Sequence, residues 1–188
     1  ALLNLPRHHD FPAIRRTPAA IRAELARAGT GDVIAFQATE AIHRAGEEFL
    51  KSVVDERDGV LLLNPAAGMA KPGDIDYYAR IRAWLALYEK YLDRTRTTLN
   101  LMPLAPRLAG PREAVWHAII QRNYGAKHVV IAREYADPGR EAKGEPFYGP
   151  EEAAEAVTRF AGETGVWAIS AALPPPGDHA LDDFTRPE

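Results

Sequence analysis

Three turns in the sequence combine polar side chains with positions where a helix begins. The first holds Gln37 and His43, between the apolar run Val33–Phe36 and a helical pattern. A helix that begins just after a strand presents free N–H groups and the positive end of its dipole, which favours a phosphate or sulfate. Both side chains can donate to an anion. The alternative is that both residues cap the helix or pack.

Arginine residues mark the other two turns. Arg107 precedes the small pair Ala109-Gly110, where a ligand can approach the backbone closely, and Arg133 follows the apolar run His128–Ile131. Each guanidinium could neutralise an anion, and a surface ion pair is the alternative for either one. Three such turns at one edge of a sheet would form a polyanion site.

Missing motifs exclude several common chemistries. The chain has no Gly-x-x-x-x-Gly-Lys-Ser/Thr phosphate loop, no Gly-x-Gly-x-x-Gly after its first strand and no Gly-x-Ser-x-Gly elbow. It has no cysteine, so it has no disulfide, zinc-thiolate site or thiol nucleophile. The six histidines lack metal-ligand spacing, so no protein-bound metal is predicted. Two of them, His117 and His128, are interpreted as structural residues of a helix and a strand.

Five β-prone apolar runs alternate with helical patterns. Near-continuous apolar runs are typical of strands covered on both faces, so the alternation predicts an open, doubly wound α/β fold with a mostly parallel sheet. The expected strands are Val33–Phe36, Val60–Leu63, Thr97–Leu101, His128–Ile131 and Val166–Ile169. The expected helices are Thr17–Ala28, Ile42–Glu56, Ile75–Leu92, Pro111–Tyr124 and Pro150–Ala161, the last ending at Gly162. In such a sheet ligands bind beyond the carboxyl ends of the strands.

Composition narrows the class of protein. The chain is 188 residues long, 46% hydrophobic and 26% charged, with a net charge of −3. These values indicate a globular, cytoplasmic protein and argue against nucleic-acid binding, and no apolar run is long enough to cross a membrane. The expected organisation is a linker at 1–16, a catalytic domain at 17–170 and a second linker at 171–188.

Five segments in chain order carry a resemblance to one family. Phe36–Glu48 resembles a Phe-Gln-x-Arg-Asn-Pro-x-His-x-x-His-Glu motif, and Lys71–Tyr78 resembles a Lys-Pro-Gly-Asp-Ile segment. The others are Ala109–Gly125, Ala132–Glu134 in place of Gly-Arg-Asp, and Phe147–Pro150. These motifs are similar to those of the catalytic domain of ATP sulfurylase (sulfate adenylyltransferase), and the similarity spans about Leu5 to Ile169.

The resemblance implies a Rossmann-like doubly wound parallel sheet of the nucleotidylyltransferase superfamily. It implies the reaction of ATP and sulfate to adenosine 5′-phosphosulfate and pyrophosphate, with Mg²⁺ bound through the nucleotide. The residues that it assigns to catalysis are Gln37, His43 and Arg107. The positions that it assigns to substrate or nucleotide binding are Gln37, Thr39, Glu40, His43, Gly46, Ala109, Gly110 and Arg133.

The first turn departs from the family motif at its principal polar positions. Thr39 stands where the family has arginine, Glu40 where it has asparagine and Gly46 where it has the second histidine. A carboxylate beside sulfate and triphosphate repels both, and a lost arginine removes a charge-assisted hydrogen bond worth about 1.5–3 kcal/mol. Three hypotheses follow: a working sulfurylase with an altered loop, a degenerate nucleotide-binding or assembly domain, and an adenylyltransferase for another acceptor.

The resemblance also implies partners. Family members usually carry a PUA-like domain before the catalytic domain, and some carry an adenylylsulfate kinase after it. We therefore expect this chain to be part of a longer protein that forms homo-oligomers.

Overall fold

A five-stranded sheet organises the chain. The computed structural model describes residues 10–27, 31–37, 44–68, 76–139 and 146–171. The strands are β1 (Val33–Phe36), β2 (Val60–Leu63), β3 (Thr97–Leu99), β4 (His128–Ala132) and β5 (Trp167–Ala171), in the order β3-β2-β1-β4-β5. Every pairing is parallel. The predicted doubly wound α/β fold is therefore confirmed.

The helices follow the sequence signals closely. A 3-10 helix at Pro12–Ile14 precedes the α-helices, which are α1 (Pro18–Arg27), α2 (Arg44–Glu56), α3 (Tyr77–Lys90), α4 (Gly110–Tyr124), α5 (Glu152–Arg159) and α6 (Ala161–Thr164). Asp76 caps α3 by accepting from the N–H groups of Tyr78 and Ala79. Gly125, with φ at 107°, ends α4 in the left-handed conformation.

One helix boundary was predicted wrongly. The helix expected to stop at Gly162 instead breaks at Phe160, and Gly162 lies inside the short α6. The left-handed residue that ends α6 is Gly165, with φ at 73°. Both glycines fit a stop signal in the sequence; the second ends the helix, and its N–H donates to Ala161 O at 2.8 Å.

Alternating strand residues build a core on each face of the sheet. Ile34 and Phe36 pack with residues of α2 and α3, while Val33 and Ala35 pack with α1 and the end of α4. Val129 and Ile131 of β4 continue the second face against α4 and α5. This burial on both faces explains why the strands read as continuous apolar runs.

The strand order creates a switch point between β1 and β4. From β1 the chain winds through β2 to β3, and it then crosses back to place β4 on the other side of β1. The connections on either side of this point leave the sheet in opposite directions, which opens a crevice at the carboxyl ends of the two strands. Gln37 follows β1 and Arg133 follows β4, so both residues flank the crevice.

A helix that crosses a membrane is about 20 residues long and predominantly apolar. Among the described residues, no helix is long and apolar enough to cross a membrane.

Candidate functional site

Three amide side chains line the carboxyl edge of the sheet in register. Gln37, Asn64 and Asn100 each come directly after a strand, and Phe36, Leu63 and Leu99 before them are paired across β1, β2 and β3. The N–H of Asn64 donates to Phe36 O and that of Asn100 to Leu63 O, both at 2.9 Å. All three side chains are buried. A polar row therefore closes the core at the edge where ligands bind.

Hydrogen bonds join this row into one chain with Gln121 of α4. Asn100 Nδ2 donates to Asn64 Oδ1, Asn64 Nδ2 to Gln121 Oε1, and Gln121 Nε2 to Gln37 Oε1, each at 2.9 Å. Burial makes each bond costly to lose, because an amide without a partner keeps its full desolvation penalty. This series of hydrogen bonds fixes the Gln37 carboxamide through its oxygen, Oε1.

His117 of α4 fixes Gln37 from its nitrogen side. Gln37 Nε2 lies 2.9 Å from His117 Nδ1, and the Tyr135 hydroxyl lies 2.8 Å from the same ring nitrogen. His117 is 4% exposed, and this burial lowers its pKa, with the Glu113 carboxylate acting in the opposite direction. The ring is therefore neutral near pH 7.

Glu113 connects His117 with the loop that leads into α4. Its carboxylate accepts from the backbone N–H of Arg107 at 2.8 Å and of Ala109 at 3.0 Å. Its Oε1 also lies 3.3 Å from His117 Nε2. This buried glutamate therefore sets the position of the loop 107–110, in the way that a side chain of the first helical turn satisfies free N–H groups ahead of it.

The loop after β4 is joined to the same helix end. The N–H of Gly110 donates to Ala136 O at 3.0 Å. Leu108, Glu134 and Ala136 all have positive φ, between 54° and 56°, which is rare for residues other than glycine. Such conformations cluster where a fold positions groups for function.

Gly110 lies against the ring of Tyr148. Its φ is 50°, and a Cβ at this position would meet the ring carbons Cδ2 and Cε2 at 2.4 Å. The site therefore requires glycine both for the backbone conformation and for the close approach of the aromatic ring.

We expect Gly110→Ala to lower the free energy of unfolding by about 2–4 kcal/mol, from left-handed strain and overpacking together. Urea unfolding measures the effect. The control is Gly162→Ala in α6, where a Cβ would have no atom within 4 Å and alanine should stabilise the helix slightly. Equal stability of the two variants would contradict the prediction.

The two arginines of the site differ in their contacts. Arg133 is half exposed, and its Nε lies 3.4 Å from Glu151 Oε1, so the surface ion pair considered as an alternative is present. The Arg107 side chain is exposed and has no ion-pair partner among the described residues. Arg107 is therefore a cation of this edge whose side chain is available to an anion.

The structure describes only the two ends of the turn 37–46, which departs from the family motif. Gly46 is buried in the first turn of α2, where it presents no side chain. Thr39, Glu40 and His43 lie outside the described residues. The roles of these positions remain predictions.

A comparison with known families gives one match, which covers most of the chain. The model of the ATP-sulfurylase family matches residues 12–172. The chain belongs to the ATP-sulfurylase family. The resemblance carried by the five sequence segments is therefore confirmed.

Relatives within the ATP-sulfurylase family are sulfate adenylyltransferases. Those of Aspergillus terreus and Schizosaccharomyces pombe are 42% and 43% identical to this chain over 167 and 163 residues, covering 89% and 87% of it. The chain spans only 29% and 33% of their lengths. A solved structure, the hexameric APS kinase from Thiobacillus denitrificans, superposes with a TM-score of 0.69 at 30% identity, over 89% of this chain and 30% of that one.

Sequence reasoning missed the residues that hold the candidate site together. No site role was predicted from the sequence for Glu113, Asn64, Asn100, Gln121 or Tyr135. One signal was present: an amide residue directly follows each of the first two apolar runs, and a third amide, Asn100, lies within the run Thr97–Leu101. His117 and His128 lie on a helix and a strand, as predicted.

Proposed function

We propose that the protein carrying this chain is a sulfate adenylyltransferase, which converts ATP and sulfate to adenosine 5′-phosphosulfate and pyrophosphate. The observation that carries the proposal is the convergence of Gln37 with the loops 107–110 and 133–137 at the β1/β4 switch point. Membership of the ATP-sulfurylase family supports the same reaction.

The proposed chemistry needs positioning and charge neutralisation more than covalent help. A sulfate oxygen attacks the α-phosphorus of ATP in line with the departing pyrophosphate, so no enzyme-bound intermediate is required. Gln37 donates to sulfate from its amide, Arg107 neutralises developing charge, and the backbone at Ala109 and Gly110 leaves room for the nucleotide. His43 donates to a phosphate oxygen, as the resemblance implies.

Mg²⁺ enters this proposal with the nucleotide. Within the described ranges, no three His, Asp or Glu side chains come together as a metal cage. As the resemblance implies, the phosphate oxygens hold the ion. When bound, Mg²⁺ would neutralise charge on the phosphates. The chain's own part is to orient the nucleotide and the sulfate.

The comparisons with known proteins also support a proposal about the domains that accompany this chain. The chain matches about three tenths of its relatives' lengths, and the superposing structure is described as a hexameric APS kinase. We infer a longer, oligomeric, cytoplasmic protein in which adenylylsulfate kinase and PUA-like domains accompany this one. Size measurement of the full-length protein tests the oligomeric part.

The test of function is ATP formation from adenosine 5′-phosphosulfate and pyrophosphate with Mg²⁺. This direction is strongly favourable, so it is the most sensitive one. We expect turnover by the full-length protein that depends on both substrates. Nucleotide binding without turnover would instead support the second candidate.

That second candidate is a nucleotide-binding or assembly domain without catalysis. The observation that favours it is Gly46, which is buried and offers no side chain where the family has a histidine. Restoring the family residues with Thr39→Arg and Glu40→Asn separates the two candidates. We expect turnover to fall, because the proposed enzyme uses the loop as it stands; a strong gain would favour the degenerate domain.

A further inference from the structure

The buried amide chain is the hydrogen-bonded series Asn100, Asn64, Gln121 and Gln37. It begins at a backbone N–H, which can donate a hydrogen bond but cannot accept one. The backbone N–H of Arg16 donates to Asn100 Oδ1 at 2.8 Å. A backbone N–H cannot accept, so Asn100 must keep its oxygen toward Arg16 and its nitrogen toward Asn64. The same constraint then passes along the chain: Asn64 accepts from Asn100 and must donate to Gln121, which in turn must donate to Gln37.

The constraint ends at the pair of Gln37 and His117. Gln37 accepts with its oxygen, so its Nε2 is the atom that faces His117 Nδ1 at 2.9 Å. An amide nitrogen donates and does not accept, so Nδ1 must be the acceptor. His117 is then neutral with its proton on Nε2, which lies 3.3 Å from Glu113 Oε1 without hydrogen-bond geometry.

We propose that His117 is a positioning residue that, as a neutral Nε2–H imidazole, holds the Gln37 carboxamide with its nitrogen toward His117 and its oxygen toward Gln121 at the switch point. Nε2 of Gln37 carries a second hydrogen, and this orientation keeps it as a donor for an anion. The reversed amide would offer a carbonyl oxygen, which repels sulfate and phosphate. The anion-binding consequence rests on the proposed function, whereas the tautomer does not.

The groups around the ring favour this state. Glu113 faces Nε2 from within α4, Tyr135 faces Nδ1 from the loop after β4, and Gln37 faces Nδ1 from the end of β1. Glu113 alone would favour a charged ring, and burial opposes it. A proton on His117 Nδ1 would also make Nδ1 a donor facing the Gln37 Nε2 donor. Because the amide chain fixes the orientation of Gln37, it opposes protonation of Nδ1.

Nitrogen NMR on the full-length protein, labelled in its histidine rings, tests the tautomer directly. The signals of His117 are those that disappear in His117→Gln. We expect Nε2 to be protonated and Nδ1 to be bare throughout pH 6–8. A proton on Nδ1 at pH 7, in either a neutral or a charged ring, would overturn the proposal.

A second measurement uses Gln37→Glu, which keeps the shape of the side chain and replaces the donor with an acceptor. At pH 8 we expect His117 Nδ1 to become protonated, and an unchanged tautomer in this folded variant would overturn the proposal. The matched control is Asn123→Asp, the same amide-to-acid change at an exposed position of α4, which should leave the His117 signals unchanged.

The effect on binding is tested with two amide substitutions of the ring. In His117→Asn, the side-chain amide lies near the position of Nδ1, so its oxygen can still accept a hydrogen bond from Gln37 Nε2. In His117→Gln, the amide lies near the position of Nε2 and cannot accept that hydrogen bond. We expect His117→Gln to raise the KM for sulfate about tenfold to a hundredfold with a smaller change in kcat, and His117→Asn to restore it to within about threefold. Equal KM values in the two variants would contradict the positioning role. Absence of turnover in the wild type, with the tautomer as expected, would reject the proposed function and leave the positioning intact.

Discussion

A protein with Gln37→Ala and His43→Ala together is expected to form ATP from adenosine 5′-phosphosulfate and pyrophosphate about 10² to 10⁴ times more slowly than the wild type. Each substitution removes a hydrogen-bond donor that the proposed reaction directs at an anion. A charge-assisted hydrogen bond contributes about 1.5–3 kcal/mol, and two such losses in the transition state give this range. The coupled assay of ATP release measures it.

The Gln37 exchange also affects stability, which the experiment must separate from activity. Gln37→Ala removes the amide partner of Gln121 Nε2 and of His117 Nδ1, which leaves Nδ1 with the Tyr135 hydroxyl alone. Urea unfolding of the same variant therefore shows how much folded protein is assayed. The control is His128→Ala, because His128 begins β4 at the opposite edge of the sheet and pairs with Asp32 at 3.0 Å. Turnover of the double variant at the wild-type rate would exclude the altered turn as the site.

Glu113→Ala is expected to lower the free energy of unfolding by about 3–5 kcal/mol. The buried carboxylate is the acceptor for the N–H groups of Arg107 and Ala109, and both would lose it in a position that water reaches poorly. We also expect turnover to fall, because the loop 107–110 would lose the contact that holds it against α4. Urea unfolding and the ATP-forming assay measure the two effects.

Two variants bracket this prediction. Glu113→Gln keeps one carbonyl acceptor and should cost less than the alanine exchange. Glu89→Ala removes an exposed glutamate of α3 and should change stability by no more than about 0.5 kcal/mol. A cost for Glu113→Ala equal to that of Glu89→Ala would mean that the carboxylate does not hold the loop.

Both predictions depend on one property of the fold, the connection of separate turns through buried polar groups. Gln37 reaches α4 through His117, and His117 reaches the loop 107–110 through Glu113. A change at any one of these residues is therefore expected to reach the others. The stability and activity effects should be non-additive when the variants are combined.

The sequence by itself determined the class of fold, and it predicted which edge of the sheet carries the site. Strands β1 and β2 were predicted at their observed bounds, and β3–β5 were predicted to within two residues at each end. These features are local: apolar runs mark strands buried on both faces, and Thr17, Pro18 and Gly125 mark helix ends. The long motifs also identified the family, which residues 12–172 confirm.

Only the tertiary structure decided how the site is held. Gln37 and His117 are 80 positions apart in the chain, and Asn64 and Asn100 are 36 apart, so no local pattern relates them. Their hydrogen bonds follow from the strand order, which brings the ends of β1, β2 and β3 into register beside α4. Local composition sets which elements form, and the burial of polar groups at the sheet edge sets which of their side chains must meet.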